Sequence, residues 1–279
     1  MNKVCVIGWP INHSRSPLIH NHWIKSSGLD ATYERQPVAP ENLQTFLSTL
    51  RDHGYLGCNV TIPHKETAIP YIDQPDLRVR RIGALNTVFF RGDKSCATST
   101  DGEGFFQNVI AHIPNLQLKN KTITLLGAGG AARAIVDRLL EENPQSIKVV
   151  NRNLERAQQL AKDFGMNVHA FGLDTLSSML PSTDLLVNTT SLGMTGHDPL
   201  EIDLRLLPKS AIVADIVYVP LKTKLITDAE ALGLRAVPGL GMLLHQAVPG
   251  FELWFGIKPA VTKELHDLVA RDIDPSYRG

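Results

Sequence analysis

The feature that most constrains this chain is the run Thr122-Ile123-Thr124-Leu125-Leu126, which passes directly into Gly127-Ala128-Gly129-Gly130-Ala131-Ala132. An apolar run, a glycine turn and a helical pattern read as strand, tight turn and helix, the context that a dinucleotide fingerprint requires. Gly127 permits the turn. Gly129 and Gly130 let the backbone approach a pyrophosphate at a helix amino terminus, where unpaired N–H groups and the helix dipole favour an anion. Ala132, in the third position, is small enough for close packing of helix on strand. The next strand, Ile147 to Val150, ends in Asn151-Arg152-Asn153, roughly twenty residues past the glycines. An acid at that point would accept from the ribose hydroxyls and repel a phosphate. The chain instead carries Arg152, with Arg156 one turn further on, and guanidinium forks suit a 2′-phosphate. The expected cofactor is NADP (NADPH).

The rest of the chain repeats the pattern of apolar run, turn and helical segment. Strands are expected at Val4 to Ile7, Gly57 to Val60, Asp184 to Asn188 and Ile212 to Asp215, in addition to those above. Helices are expected at Pro17 to Ser27, Glu41 to Asp52, Gly104 to His112, Gly130 to Glu142, Leu154 to Phe164, Lys222 to Leu232, Met242 to Gly256 and Pro259 to Asp272. Ser16 reads as the cap before a first-turn Pro17. Alternating strands and helices predict an α/β chain with mainly parallel sheets. A polar, turn-forming stretch from Ile113 to Asn120 and the turn Val237-Pro238-Gly239 suggest two domains. Residues 1–103 and 239–279 would form an α/β substrate-binding domain, with a Rossmann-like NADP-binding domain, 104–238, inserted in it and the substrate in the cleft between.

Charge narrows the partners. Lys plus Arg and Asp plus Glu both number 28, with no long single-sign run, which argues against nucleic acid and against a membrane surface. Three scattered cysteines form no CxxC pair, so no metal site is expected, and free thiols point to the cytoplasm. The ligand must be held by local groups, and four polar clusters offer them: Ser14-Arg15-Ser16-Pro17, Asn59 to Lys65, Gly83 to Thr87, and Thr100-Asp101-Gly102. Alcohol oxidation removes a hydride from carbon and a proton from oxygen. Lys65 is a natural proton donor for the reverse reduction, and Asp101 would orient its ammonium. Two serines at a helix start can donate to a carboxylate.

Taken together, Ser14-Arg15-Ser16-Pro17, Asn59-Val60-Thr61-Ile62-Pro63-His64-Lys65, Gly83-Ala84-Leu85-Asn86-Thr87, Gly127 to Ala131, Asn151-Arg152, Asn188 to Met194, Asp215-Ile216-Val217-Tyr218 and Gly239 to Ala247 resemble the shikimate dehydrogenase family, in order and over nearly the whole chain. The resemblance implies that Ser14, Ser16 and Tyr218 hold the carboxylate of shikimate or 3-dehydroshikimate. It implies that Thr61, Asn86, Asp101 and Gln246 contact the ring hydroxyls, with Lys65 as the acid/base. Gly127, Ala128, Gly129, Gly130, Ala131, Asn151, Arg152, Asn153, Arg156, Ile216 and Gly239 would line the cofactor. Ser99 departs from the family pattern, where Asn usually precedes the Thr-Asp pair, and so does Val219, where Asn usually follows the tyrosine.

The expected activity is reversible reduction of 3-dehydroshikimate by NADPH in a monomer or homodimer. Two other readings remain open: a quinate/shikimate dehydrogenase with broader substrate or NAD use, and an NADP-binding sensor without turnover. The Arg152 assignment generates a direct test. Replacing Arg152 by Asp should lower kcat/KM with NADP and raise the relative use of NAD, measured as the ratio of the two efficiencies. An unchanged ratio would remove Arg152 from the phosphate clamp.

Overall fold

A computed structural model describes residues 2–279, in the order β1 (Asn2–Gly8), α1 (Ser16–Ser26), β2 (Ala31–Pro37), α2 (Leu43–Ser48), β3 (Tyr55–Val60), β4 (Gln74–Pro75), α3 (Leu77–Ile82), β5 (Thr87–Arg91) and β6 (Lys94–Thr98). Then come α4 (Asp101–His112), β7 (Thr122–Leu126), α5 (Gly130–Leu140), β8 (Ser146–Val150), α6 (Leu154–Phe164), β9 (Val168–Phe171), α7 (Leu176–Met179) and β10 (Leu185–Asn188). The chain closes with β11 (Ile212–Asp215), α8 (Lys224–Ala231), β12 (Arg235–Val237), α9 (Leu240–Phe255) and α10 (Lys263–Ile273). It divides into two compact units. One runs to Asp101 and takes in Leu244–Val269, and the other comprises Gly102–Leu243 with Ala270–Gly279. No helix among the described residues is long and apolar enough to cross a membrane.

The first unit is built on a mixed six-stranded sheet in the order β2-β1-β3-β5-β6-β4. β1 pairs in parallel with β2 and β3, whereas β5 pairs antiparallel with both β3 and β6. β4 pairs in parallel with β6, so parallel pairing predominates as expected, and the antiparallel β5–β6 pair has a local cause. Arg91 pairs with Lys94 across Gly92-Asp93, and Gly92 adopts φ +58°, the left-handed conformation that a two-residue hairpin needs. In β2 only Tyr33 is buried, and its neighbours along the strand are part-buried or exposed. This half-polar strand offers no apolar run to find. Cys5, Ile7, Leu47, Leu50, Cys58, Val60, Val79 and Leu85 fill the core on one face.

The second unit carries an all-parallel sheet in the order β12-β11-β10-β7-β8-β9. Read from the other edge, the third, second and first strands of this unit precede the fourth, fifth and sixth, which is the doubly wound dinucleotide-binding order. Both faces are covered. Ile135, Val136, Leu139, Ala157 and Leu160 from α5 and α6 pack on one side with Phe105 and Val109 of α4. Leu176, Leu180, Leu225 and Ala229 pack on the other. Burial on both faces explains why β7, β10 and β11 read as continuous apolar runs. The strand order reverses between β7 and β10, which places the Gly127 turn at the crevice where such sheets bind ligands.

Several helix ends differ from expectation. Ser16 is the first residue of α1, not its cap: Arg15 occupies the cap position without a side-chain bond. Ser14 Oγ accepts from the Ser16 N–H at 3.3 Å, so a side chain two residues earlier supplies the capping bond expected of Ser16. The stretch expected as one helix from Glu41 divides into a 3₁₀ turn at Pro40–Asn42 and α2. α10 begins at Lys263, past the expected Pro259. At the other end of the first unit's core, Trp254 Nε1 donates to the Val88 carbonyl at 2.9 Å. A Cβ on Gly57 would stand 2.2 Å from the Val88 oxygen and 2.3 Å from Trp254 Nε1. Gly57→Ala should therefore displace the indole and break that bond, lowering stability by about 2 to 4 kcal/mol. Urea unfolding followed by tryptophan fluorescence checks it; a loss under about 1 kcal/mol would mean that backbone adjustment relieves the clash.

Candidate active site

β3 ends at Val60, and its continuation turns back on itself. Thr61 N–H donates to the Ile7 carbonyl at 2.9 Å, and the Thr61 carbonyl accepts from His64 N–H at 2.9 Å. The turn delivers Lys65, whose own carbonyl accepts from Leu85 N–H at 2.8 Å. The turn is thus tied to β1 through Thr61 and to the segment before β5 through the Lys65 carbonyl. Its ammonium reaches Asp101 Oδ2 at 2.5 Å. Asp101 is the first residue of α4, where the helix amino terminus favours a carboxylate.

Asn86 completes the cluster. It is buried, and its Nδ2 donates to Asp101 Oδ1 at 2.8 Å and to Thr100 Oγ1 at 2.9 Å, with Gln246 Oε1 at 3.3 Å. Its Oδ1 accepts from Thr100 N–H at 2.9 Å and from Thr87 Oγ1 at 3.0 Å. Thr100 Oγ1 in turn donates to the Gln246 carbonyl at 2.8 Å. Lys65, Asp101, Asn86 and Gln246, expected from scattered motifs, therefore meet in one network. Thr100, given no role of its own in the sequence reading, is the hinge between Asn86 and α9. Ser14 and Ser16 lie at the start of α1, and Ser14 is anchored by Arg35, whose Nε and Nη2 donate to its carbonyl at 2.9 and 2.6 Å. Ser99 is buried beside this network.

The same unit holds two residues that motif reading missed. Tyr33, on β2, is fully enclosed and donates from its phenol to Asn59 Oδ1 at 2.6 Å. Burial holds that phenol well above its ordinary pKa, against a smaller lowering by the Ser16 hydroxyl. His20, one turn beyond Ser16 on α1, stacks on the Tyr33 ring at 4.2 Å and 4°, with Trp23, Phe251 and Trp254 around it.

On the second unit, Gly127 has φ +105° and a Cβ there would meet Thr189 Oγ1 at 2.6 Å. Gly129 caps α5 and Gly130 begins it, and a Cβ on either would meet nothing within 4 Å. The helix start with Ala128 and Ala131 is thus an open cradle of backbone, which fits a pyrophosphate. Asn153 caps α6, accepting from Arg156 N–H at 3.2 Å, and Asn151 Nδ2 donates to the Asn153 carbonyl at 2.8 Å. Both polar side chains are engaged in shaping the turn. Arg152 and Arg156 are exposed and form no ion pair among the described residues, leaving both guanidinium groups for a phosphate.

Asp215 anchors the last loop. Its carboxylate accepts from Asn188 Nδ2 at 2.9 Å, Val217 N–H at 3.0 Å and Thr223 Oγ1 at 2.6 Å. Burial raises its pKa, opposed by these bonds, Thr223 foremost. They fix the segment carrying Ile216 and Tyr218. Gly239 lies against it, since a Cβ there would fall 2.4 Å from the Val217 oxygen and 2.6 Å from that of Ile216. Val219 contributes its backbone, its carbonyl accepting from Thr195 N–H at 2.8 Å.

Comparisons with known proteins decide the kinship. Residues 6–88 match the family model described as shikimate dehydrogenase substrate binding domain, residues 109–195 that of shikimate / quinate 5-dehydrogenase, and residues 239–263 that of the shikimate 5'-dehydrogenase C-terminal domain. The chain is 50% identical over 271 residues to a shikimate dehydrogenase (NADP(+)) of Rhodopseudomonas palustris, covering 97% of each chain. This chain belongs to the shikimate dehydrogenase family. Its fold is similar to that of the Thermus thermophilus shikimate 5-dehydrogenase solved with NADP(H) and shikimate, with a TM-score of 0.86, 33% identity and coverage of 98% and 100%. It is also similar to the quinate dehydrogenase of Corynebacterium glutamicum solved with NAD, with a TM-score of 0.89, 28% identity and coverage of 96% and 98%.

His20 gives this site a pH dependence in stability. Burial pushes its pKa from 6.5 down to about 3 in the folded protein, so folding favours the neutral ring. The contribution is complete above pH 6.5 and is lost as pH falls below it, because the unfolded chain then takes up a proton that the folded one refuses. Between pH 6.5 and 5 this single group should remove about 2 kcal/mol of stability. His20→Phe should flatten that limb in denaturant titrations at pH 7 and pH 5; an equally steep loss in the variant would assign the acid sensitivity elsewhere.

Proposed function

We propose that this protein is an NADP-dependent shikimate dehydrogenase that reversibly reduces 3-dehydroshikimate to shikimate. The observation that carries the reading is the Lys65–Asp101 pair locked to Asn86 and Gln246, a proton donor set among groups suited to ring hydroxyls, in a chain half identical to a shikimate dehydrogenase (NADP(+)). The substrate residues belong to the first unit except Tyr218, and the cofactor residues to the second. Residues 104–238 with their glycine turn take the role of inserted cofactor domain, and 1–103 with 239–279 that of substrate domain.

NADPH, when bound, supplies the hydride. The backbone N–H groups of the Gly129-Gly130 helix start would hold its pyrophosphate, and Arg152 and Arg156 its 2′-phosphate. Gly127, Ala128, Ala131, Asn151, Asn153, Ile216 and Gly239 shape the surface around it. Ser14, Ser16 and Tyr218 take the substrate carboxylate, and Thr61, Asn86, Asp101 and Gln246 the ring hydroxyls. As the ketone is reduced, negative charge grows on its oxygen and Lys65 Nζ donates a proton to it. Asp101 keeps the ammonium in line throughout. In the oxidation direction Lys65 takes the proton back.

The free, buried Cys5, Cys58 and Cys96 support a reducing, cytoplasmic setting, and the enzyme would act as a monomer or homodimer. A quinate/shikimate dehydrogenase using NAD is the second reading, favoured by the quinate dehydrogenase fold match. The exposed arginine pair argues for NADP, and intact acid/base geometry argues against a sensor without turnover. Turnover of shikimate with NADP set beside quinate with NAD separates these readings, and faster quinate oxidation would displace the first. Ser14→Ala and Ser16→Ala should raise KM more than they lower kcat, since the carboxylate carries no developing charge. Lys65→Ala should lose about 10² to 10⁴ in kcat while shikimate binds within about tenfold by calorimetry; near-normal turnover would sink the mechanism.

A further inference from the structure

The polar groups behind Asn86 form a chain with one direction. Tyr33 donates from its phenol to Asn59 Oδ1 at 2.6 Å. With that oxygen committed, the Asn59 amide must turn its NH₂ inward, and Nδ2 donates to Thr87 Oγ1 at 3.1 Å and to the Asn86 carbonyl at 3.0 Å. Thr87, having accepted, donates to Asn86 Oδ1 at 3.0 Å. Asn86 then points its own NH₂ at Asp101 Oδ1 at 2.8 Å, while Lys65 occupies the other carboxylate oxygen. Tyr33, Asn59, Asn86 and Thr87 are all buried, so no solvent is at hand to satisfy a reversed amide.

We infer that Tyr33 is a positioning residue for proton transfer, acting through Asn59, Thr87 and Asn86 to hold Asp101 and hence Lys65 in line. The inference rests on the reading of Lys65 and Asp101 as the acid/base pair. An asparagine amide is nearly symmetric in shape, and its orientation is decided by what its neighbours donate and accept. Burial keeps the phenol protonated, so it remains a donor to Asn59 Oδ1. The His20 ring stacked on Tyr33 fixes the plane of that ring. The Ser16 hydroxyl lies close enough to lower the pKa of this phenol somewhat, so the chain begins beside the serines assigned to the substrate carboxylate and ends at the acid/base pair.

Loss of the phenol oxygen would leave Asn59 Oδ1 short of its donor and loosen the amide that feeds Thr87, leaving the Asn86 orientation to rest more heavily on the Thr100 N–H. Two isosteric substitutions cut the chain at different links: Tyr33→Phe removes its origin and keeps the stack on His20, and Thr87→Val removes the relay hydroxyl. With the full chain, shikimate and NADP, each should lower kcat by roughly tenfold. The solvent deuterium isotope effect on kcat should grow, because proton transfer becomes the slower event. The double variant should lose little more than either single one, since both interrupt one path.

A Tyr33→Phe enzyme with parental kcat and isotope effect would overturn the inference, as would losses that multiply in the double variant. A lowered kcat with an unchanged isotope effect would also overturn it, assigning Tyr33 to packing alone. Should either substitution prevent folding, the other decides by the same isotope measurement. A parent without shikimate turnover would overturn the functional reading and this inference with it. A working parent with an indifferent Tyr33→Phe would overturn the inference alone.

Discussion

Burial of Asn86 obliges every polar atom of its side chain to find a partner, and the partners come from segments far apart in the chain. Thr87 follows it directly, Thr100 and Asp101 stand at the entry to α4, and Gln246 arrives from α9. A single amide thereby fixes where a carboxylate, a hydroxyl and a glutamine sit with respect to one another. An aliphatic residue of equal size would fill the space and leave Asp101 Oδ1 and Thr100 N–H without these bonds. The cost of that loss, set by desolvation in a low-dielectric interior, is what makes the arrangement specific.

The surrounding fold is organised to hold this node still. β3 and β5 pair with Asn59 opposite Thr87, so the sheet itself brings the two side chains together. The turn after β3 ties Lys65 through its backbone, and Gly83, in the left-handed conformation at the end of α3, redirects the chain into the Asn86 segment. The second unit follows the same logic with different groups. Asp215 gathers three donors at the end of β11 and fixes the segment that follows, as Asn86 does at the head of β5.

How much of this was legible in the sequence depended on burial symmetry. β7, β8, β10 and β11 are covered on both faces and announce themselves as apolar runs. β2, β4, β6, β9 and β12 were not expected, because they are short, lie toward sheet edges or carry polar and charged residues, whereas β5 (TVFFR) is a central apolar run that the motif reading did not use. The Gly92-Asp93 hairpin was a readable signal passed over in favour of parallel pairing. Motif residues such as Lys65, Asp101, Asn86 and Gln246 could be named one by one, and resemblance supplied their roles. Their convergence could not be deduced, since it depends on register between strands that the sequence did not reveal. Tyr33 and His20 escaped for a related reason: a tyrosine in ATYERQP and a histidine inside a helix carry no local mark of which neighbour they will touch.

The division of the first unit into two stretches of chain has a consequence for biosynthesis. Trp254 closes onto the Val88 carbonyl across 166 positions, and Gln246 onto Thr100 across 146. Gly102–Leu243, the bulk of the second unit, is one continuous stretch and can condense as it leaves the ribosome, because every strand of its sheet lies within that stretch. The amino-terminal sheet, though made first, must wait with the underside of β3 and β5 uncovered until α9 emerges. For that interval the nascent protein exposes apolar surface open to aggregation, and the order in which it is made runs opposite to the order in which it is finished.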